Sequence, residues 1–403
     1  IMMVDFSVQN FGPFRERAVL SMEPAPISDD EYSIQDTPAL KNGLLKSAVI
    51  FGANASGKTF LVDAIGCLKE IVDNARPEGD PLPGYIPFAL SQETVSEPTS
   101  MELRMVIDDV LYTYTISYNE RCIVSETLFH SPNGRKALIF RRGDDNKGID
   151  PDVFAKVSSA TTYLYMATDY NDRLCGAVLR EIRKISVIYQ GREQDTRSPF
   201  MLAQNDPEIK GMMLSALDAA DLGIRDFYGE DRIVGSYIPK HNPSGGEVVR
   251  KITDIRLLHG FRNADVQDMA FPISMESNGT IEMFSIMGPI SSALKDGGTV
   301  IIDEFGSDLH PLLSRWLVGL FNTEANTNGA QLIANTHDIS LMDIRELFRR
   351  DQIWFTSKDR GNGEATLYSL AQIKGIRKKS DIRDDYLMGR FSAIPSVIGV
   401  SKL

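Results

Sequence analysis

Gly52-Ala-Asn-Ala-Ser-Gly-Lys-Thr59 is the stretch on which the reading of this chain turns. It fits G-x-x-x-x-G-K-[ST], in which backbone N–H groups wrap a polyphosphate, the lysine bridges its outer phosphates and the hydroxyl holds Mg²⁺. The pattern assigns Gly52, Asn54, Ala55, Ser56, Gly57 and Lys58 to the phosphates and Thr59 to the metal. Its flanks agree. Ser47–Phe51 reads as a short buried strand, and Leu61, Ala64, Ile65, Leu68, Ile71 and Val72 recur at helical spacing. Strand, loop and helix are what the motif requires, so the expected ligand is ATP with Mg²⁺.

Outward from the loop, the first half of the chain reads mainly as strands. Met3–Phe11 alternates, Gly12-Pro13 turns, and Ala18–Met22 returns, which predicts an opening hairpin. Residues 23–45 read as polar and turn-rich, and 77–98 as a long loop of the kind that is functional or mobile. Three strand-like segments follow, at Met101–Ile107, Leu111–Tyr118 and Ala137–Phe140, with Cys122–Phe129 leading into an Asn133-Gly134 turn. They predict an antiparallel sheet whose alternating Tyr112, Tyr114 and Tyr118 form a packed sheet face, with a base-stacking face as the alternative.

From about 150 to 230 the period lengthens to that of helices, with Leu174, Val178, Leu179 and Ile182 on one stripe and Met212, Met213, Ala216, Leu217 and Ala220 on another. His241–Gly246 reads as a turn or mobile tip. The second half alternates helix and strand: helices over Ile281–Leu294, Pro311–Phe321 and Leu341–Phe348, strands over Thr299–Ile302 and Gln331–Ala334. Such alternation implies a parallel, covered sheet. The expected division is 1–145 (phosphate loop and antiparallel sheet), 146–270 (a mostly helical lobe) and 271–403 (the remainder of the nucleotide-binding head).

Chemistry-bearing residues recur beyond the loop. Thr299–Ile302 is an apolar run ending in Asp303-Glu304, which places one acid to hold the Mg²⁺ shell and the next to polarise an attacking water. The pair stands far down the chain from Lys58, with a sheet and a helical lobe between, whereas simpler phosphate-loop folds need less chain. That order resembles the plan of ABC-type ATPases. Ser277-Asn-Gly-Thr280 supplies its serine-glycine signature at a helix start, where free N–H groups meet a γ-phosphate. The blander alternative for Ser277 is a plain N-cap. Ser307-Asp308-Leu-His310 fits the D-loop, and His337, at the end of the next strand, takes the place of a switch histidine sensing the γ-phosphate.

Together these motifs resemble the ABC-type ATPases of the OLD, RecF and chromosome-maintenance class. Ala220–Ile224, Asp351–Phe355 and Tyr386–Pro395 are more closely similar to the RloA and AbiL group of abortive-infection ATPases, to which the ATPase of the PARIS anti-phage system is a near relative. That group usually has Tyr-Gly where Phe391-Ser392 stand, and Gly306 is unusual in the D-loop stretch. Polar residues near Thr168–Asn171 are the candidates for a Q-loop. The resemblance implies an α/β P-loop NTPase of ABC-ATPase head type, with a mixed sheet, an antiparallel β-subdomain and a helical lobe. It further implies an ATP-sandwich homodimer or higher oligomer, in which Ser277 and Gly279 of one subunit close on the nucleotide of the other. Members serve as sensor or scaffold beside an effector, often a Toprim-type nuclease, and answer a phage-derived trigger.

Composition limits the alternatives. Among 403 residues, 43 Lys and Arg stand against 55 Asp and Glu, a net charge of −12 that repels a nucleic-acid backbone. A DNA-repair ATPase gripping DNA itself is the alternative function. It would need a local patch such as Arg250-Lys251 with Arg256 and Arg262, or Arg377–Lys379 with Arg383, and both are interleaved with acids. A scaffold that binds ATP without turnover is a further reading, opposed by the intact Glu304. Cys67, Cys122 and Cys175 form no C-x-x-C pair, and no apolar run reaches membrane-spanning length, so a reduced, cytoplasmic setting is expected.

Overall fold

The alternation at the start of the chain becomes β1 (Met2–Gln9), and its return becomes β2 (Ala18–Ser21), antiparallel to it. The structure, a computed structural model, describes residues 2–29, 32–190, 194–237, 248–260, 268–324, 326–377 and 380–394, without the side chains of 233–237 and 248–252. Contrary to the turn-rich reading of 23–45, that stretch holds a small hairpin, β3 (Ile34–Thr37) and β4 (Leu40–Leu45). Leu44 and Leu45, buried in the main core, provide the reason. Next come β5 (Ser47–Gly52) and α1 (Lys58–Val72), the flanks required by the phosphate loop. The long loop at 77–98 is tied down by Asn10, whose amide donates to Thr94 O and Glu97 O and accepts from Phe88 N.

The antiparallel sheet continues through β6 (Thr99–Ile107), β7 (Val110–Tyr118), β8 (Ile123–Ser131) and β9 (Ala137–Arg142), in the order β2-β1-β6-β7-β8-β9. Four strands therefore stand where three segments are expected, because Ile123, Glu126 and Leu128 turn inward and Cys122–Phe129 is more than a connection. Tyr112, Tyr114 and Tyr118 are buried in the sheet face. Glu126 is fully buried, where its carboxylate accepts from Tyr163 N, Leu164 N and Tyr114 Oη.

The helical period after 150 yields α2 (Pro151–Phe154), α3 (Tyr163–Asp169) and α4 (Arg173–Arg183). On α4 the buried stripe is Cys175, Val178, Leu179 and Ile182, and Leu174 is exposed. The helical reading then breaks at β10 (Ile185–Tyr189), a run of mostly β-branched and aromatic residues that suits an extended backbone. After α5 (Arg197–Asn205) and α6 (Pro207–Ala219) it breaks again, into β11 (Ile224–Tyr237), β12 (Val248–His259) and β13 (Met269–Pro272). These pair as a three-stranded antiparallel sheet, so 146–270 is not a mostly helical lobe. His241–Gly246 lies outside the described residues.

The second half gives α7 (Asn278–Asp296), β14 (Thr299–Asp303), α8 (Pro311–Phe321), β15 (Gln331–Asn335), β16 (Ile353–Lys358), β17 (Ala365–Ser369) and α9 (Ile382–Leu387). The helix expected over Leu341–Phe348 does not form. The Asp343 carboxylate accepts from Arg345 N and Glu346 N, a local turn that competes with helical bonding, and only a single 3₁₀ turn, Ile339–Leu341, precedes it. The second large sheet runs β10-β14-β15-β5-β16-β17, parallel throughout except for β17. β5, β14 and β15 are buried along their whole length, as befits a sheet covered on both faces.

By contacts the chain resolves into two units. One comprises Ile1–Gly191, Asp296–Ser307 and Pro311–Leu403, and holds both large sheets with α1 in one continuous hydrophobic core. The other comprises Arg192–Lys295 with Asp308–His310, built from α5, α6, α7 and the sheet β11-β12-β13. Within it Phe227 packs on Phe200 and Phe284, and Lys295 pairs with Asp206 and Glu208. Together these features make an α/β fold of the P-loop type, with a mixed sheet fed by the phosphate loop and a separate antiparallel sheet. Among the described residues no helix is long and apolar enough to cross a membrane.

Candidate functional site

Strand register brings the chemistry to one edge. Thr356 pairs with Gly52, Asn335 with Ile50, Ile302 with Ala334, and Tyr189 with Asp303, so the carboxyl ends of five parallel strands finish together. In open parallel α/β sheets this edge is where ligands bind. Here the phosphate loop leaves β5. Asn54 and Ala55 are exposed at its crown, Ser56, Gly57 and Lys58 are buried, and Thr59 is half-buried as the second residue of α1.

The loop's local conformation explains its glycines. Gly57, immediately before α1, has φ +113°, a left-handed value that a side chain would strain. No side chain caps α1 and no acid lies in its first turn, so its leading N–H groups stand free for an anion. Lys58 Nζ donates to the loop's own carbonyls, Gly52 O at 2.8 Å and Ala53 O at 3.1 Å. Burial pushes its pKa down to about 8, against the opposing pull of Asp303 and Glu304. A cavity of about 910 Å³ adjoins Ala53–Ser56, with Arg15, Phe88, Leu90, Lys358 and Ile394 among its walls.

The acidic strand end is held by its neighbour. Asn335 Nδ2 donates to the buried Asp303 carboxylate, Asn335 Oδ1 accepts from Glu304 N at 2.8 Å, and Asn335 O accepts from Phe305 N at 2.9 Å. Glu304 adopts φ +58°, a costly conformation for a non-glycine residue that these three bonds maintain. His337 follows β15 and is exposed. Loss of water around its ring, and secondarily the Lys58 charge, still lower its pKa below the ordinary imidazole value, over the contrary pull of Glu304 and Asp303. Lys58, Asp303, Glu304 and His337 thus act on one another electrostatically.

The polar stretch Thr168–Asn171, the candidate for a Q-loop, closes a helix. Thr168 Oγ1 donates to Leu164 O within its own helix, and the stretch ends α3. The residue at the sheet edge is Gln190, directly after β10, with its backbone N donating to Asp303 O at 3.2 Å. Gln190 is 5% exposed, yet neither atom of its side-chain amide has a hydrogen-bond partner among the described residues. A buried unsatisfied amide is costly and calls for a missing partner. The signal in the sequence is Ile185–Tyr189, a strand-like run ending in glutamine, masked by the helical period around it.

Ser277, Gly279 and Asp308 gather in the other unit. Ser277 is exposed, and its Oγ accepts from Thr280 N at 3.2 Å, capping α7. Gly279 packs against the D-loop, where an added Cβ would lie 2.8 Å from Asp308 O. Asp308 N donates to the fully buried carboxylate of Glu282 at 2.8 Å. One hydrogen bond and one close approach therefore tie the first turns of α7 to Asp308. Of the remaining histidines, His259 bonds Glu276 at 2.9 Å and His130 packs on Tyr112.

The family described as "AAA domain, putative AbiEii toxin, Type IV TA system" matches residues 47–343, well over half the chain and every one of these motifs. The chain belongs to that AAA-domain family. No curated protein matches it. Similar solved structures include the SMC head domain from Thermotoga maritima, 14% identical with a TM-score of 0.46, covering 92% of this chain and 99% of that one. An SmcHead bound to the C-winged helix domain of ScpA is 14% identical with a TM-score of 0.49, covering 92% and 98%. An Smc head domain with an extended coiled coil, bound to the C-terminal domain of ScpA derived from Pyrococcus furiosus, is 12% identical with a TM-score of 0.43, covering 91% and 96%.

Proposed function

We propose that this chain is an ABC-type ATPase that binds ATP with Mg²⁺ at Gly52–Thr59 and hydrolyses it. The observation that carries the reading is the sheet edge itself, where Lys58, Asp303, Glu304, His337 and the unpartnered Gln190 amide converge beside an uncapped helix N-terminus. The residues fit the ligand: a buried lysine with only carbonyl partners suits a polyphosphate, and Thr59, Asp303 and Gln190 are oxygen donors of the type Mg²⁺ takes alongside phosphates and water. When bound, the metal would neutralise charge on the phosphates.

The chain's own residues do the rest. Lys58 loses its two carbonyl partners to an incoming phosphate and recovers full charge there. Glu304, its backbone fixed by Asn335, orients the attacking water and accepts its proton. The neutral His337 imidazole hydrogen-bonds the γ-phosphate from the mouth of the site, and Gln190 gains the partner it lacks. Ser277, Gly279 and Asp308, exposed or half-exposed on the other unit, complete the site of a second copy, so that the working species is a homodimer or higher oligomer.

In its setting, the chain serves an anti-phage, abortive-infection type of system as sensor or scaffold, controlling a separate effector such as a Toprim-type nuclease in response to a phage-derived trigger. The family description, with its AbiEii toxin and type IV toxin–antitoxin association, supports this reading, as does the resemblance of the tail stretch to the RloA and AbiL group. The DNA-gripping alternative loses Arg256, which is paired with Glu230; Arg262, Lys378 and Lys379 lie outside the described residues. The test is a co-purification from the native host followed by plating phage on cells carrying the chain with its captured partner. Protection that vanishes with Glu304→Gln is expected. Equal plaque counts with and without the wild-type pair would overturn the defence role while leaving the ATPase untouched.

A further inference from the structure

One polar contact at the sheet edge has no part in the reaction just described. Thr356, on β16, is fully buried, and its Oγ1 lies 2.5 Å from Oγ of the buried Ser56 in the phosphate loop. The two hydroxyls sit where the side chain of Gly52 would be: a Cβ built there would meet Thr356 Oγ1 at 2.3 Å, Ser56 Oγ at 2.6 Å and Thr356 O at 2.7 Å. The first glycine of the loop thus makes room for a hydroxyl pair that links the loop to the neighbouring strand. We infer that Thr356 is a positioning residue for the nucleotide, fixing the phosphate loop in its binding form through Ser56.

The strand behind it is itself braced. Phe355 stacks on Tyr386, with centroids 5.9 Å apart and planes at 20°, and packs on Phe391 at 5.1 Å. Ser357 Oγ donates to Ser392 O at 2.8 Å, and Ser392 takes φ +55°, a left-handed value that glycine adopts without strain. The tail stretch singled out in the sequence therefore backs β16 on both sides of Thr356. A hydroxyl held on a strand packed this way has little freedom, which is what precise placement of a flexible loop requires. Ser56 N donating to Ala53 O closes the loop on itself, so shifting Ser56 moves the N–H groups on either side of it.

This inference rests on the phosphate-loop reading, and one set of titrations separates the two. Mg-ATP binding is measured by calorimetry and phosphate release at saturation by steady-state assay, for Thr356→Val, Thr356→Ser, Ser56→Ala, the double Ser56→Ala/Thr356→Val, and Lys58→Ala. Thr356→Val keeps the shape and deletes the hydroxyl, leaving Ser56 buried without its partner, and is expected to weaken binding about tenfold. Turnover at saturation should change less than about threefold, since the two hydroxyls bond each other and not Glu304. Thr356→Ser should restore affinity, and the double variant should be no weaker than the worse single, the mark of one shared interaction.

A merely structural Thr356 would lower stability and turnover together and would not be rescued by serine. Wild-type affinity in Thr356→Val, with binding lost in Lys58→Ala, overturns the positioning role alone. Should Thr356→Val fail to fold, Ser56→Ala probes the same pair from the loop side, and unchanged affinity there overturns it as well. Wild-type affinity in Lys58→Ala would remove the phosphate-loop reading, and the inference with it.

Discussion

Two helix N-termini, one in each unit, are built in opposite ways. α1 begins uncapped behind a left-handed glycine, and everything around it is fixed: Lys58 held by loop carbonyls, Asp303 and Glu304 by Asn335, Ser56 by Thr356. α7 begins at an exposed Ser277 whose hydroxyl already satisfies the helix. The first arrangement is incomplete without an anion, whereas the second is stable as it stands and offers a surface. The difference teaches that, on the proposed reading, phosphate affinity belongs to the preorganised end and the Ser277 end acts only when a nucleotide is brought to it.

The sharpest way to break this contrast is at Lys58. Lys58→Ala should weaken Mg-ATP binding by about 100-fold or more while circular dichroism stays native and the melting temperature does not fall, because the lysine serves the ligand and not the core. Next, Glu304→Gln should bind ATP within about threefold of wild type and lose about 10²- to 10⁴-fold in turnover, since the amide cannot accept a proton. His337→Ala should also turn over slowly. Steady-state phosphate release equal to wild type in either variant would contradict the proposed roles.

The α7 end is tested by complementation. Ser277→Arg should block closure by bulk and leave binding at α1 intact, so it and Lys58→Ala should each be inactive alone. Mixed, they form a heterodimer with one intact site, and partial recovery of turnover is the expected result. Full activity in unmixed Ser277→Arg would remove the shared site.

A smaller effect concerns pH. The Lys58 pKa of about 8 lies below the 10.5 of an unburied lysine, so between pH 8 and 10.5 the unfolded chain holds a proton that the folded chain has released. Stability of the nucleotide-free protein should therefore rise with pH across that window, on this residue's account. Lys58→Met should be more stable than wild type at pH 7 by on the order of 1–3 kcal/mol, the gap closing above pH 10.5. Denaturant midpoints at pH 7 and pH 10.5 measure it, and a gap that does not narrow contradicts the burial argument. Of similar size, Glu282→Ala should cost about 1–3 kcal/mol by removing the acceptor of Asp308 N, and Glu282→Gln, which keeps an acceptor, less.

Much of this molecule was legible because its decisive features are local. The phosphate loop is eight consecutive residues between a strand and a helix, and their spacing alone forces the N–H cradle. The apolar runs ending at Asp303 and Asn335 had to be buried parallel strands, since only a covered sheet takes uninterrupted apolar strands. What the periodicity hid was β10, enclosed by helices on both sides, and with it Gln190. It also hid the strands after Ile224, where side chains pair across a ribbon and not along a helix face. Only the tertiary structure could decide the partners. Asn335 is bound to Asp303, Thr356 to Ser56 and Glu282 to Asp308 by register and packing between elements distant in the chain. Hydrogen bonds of that kind leave no period in a sequence, because each depends on where two separately specified backbones come to rest.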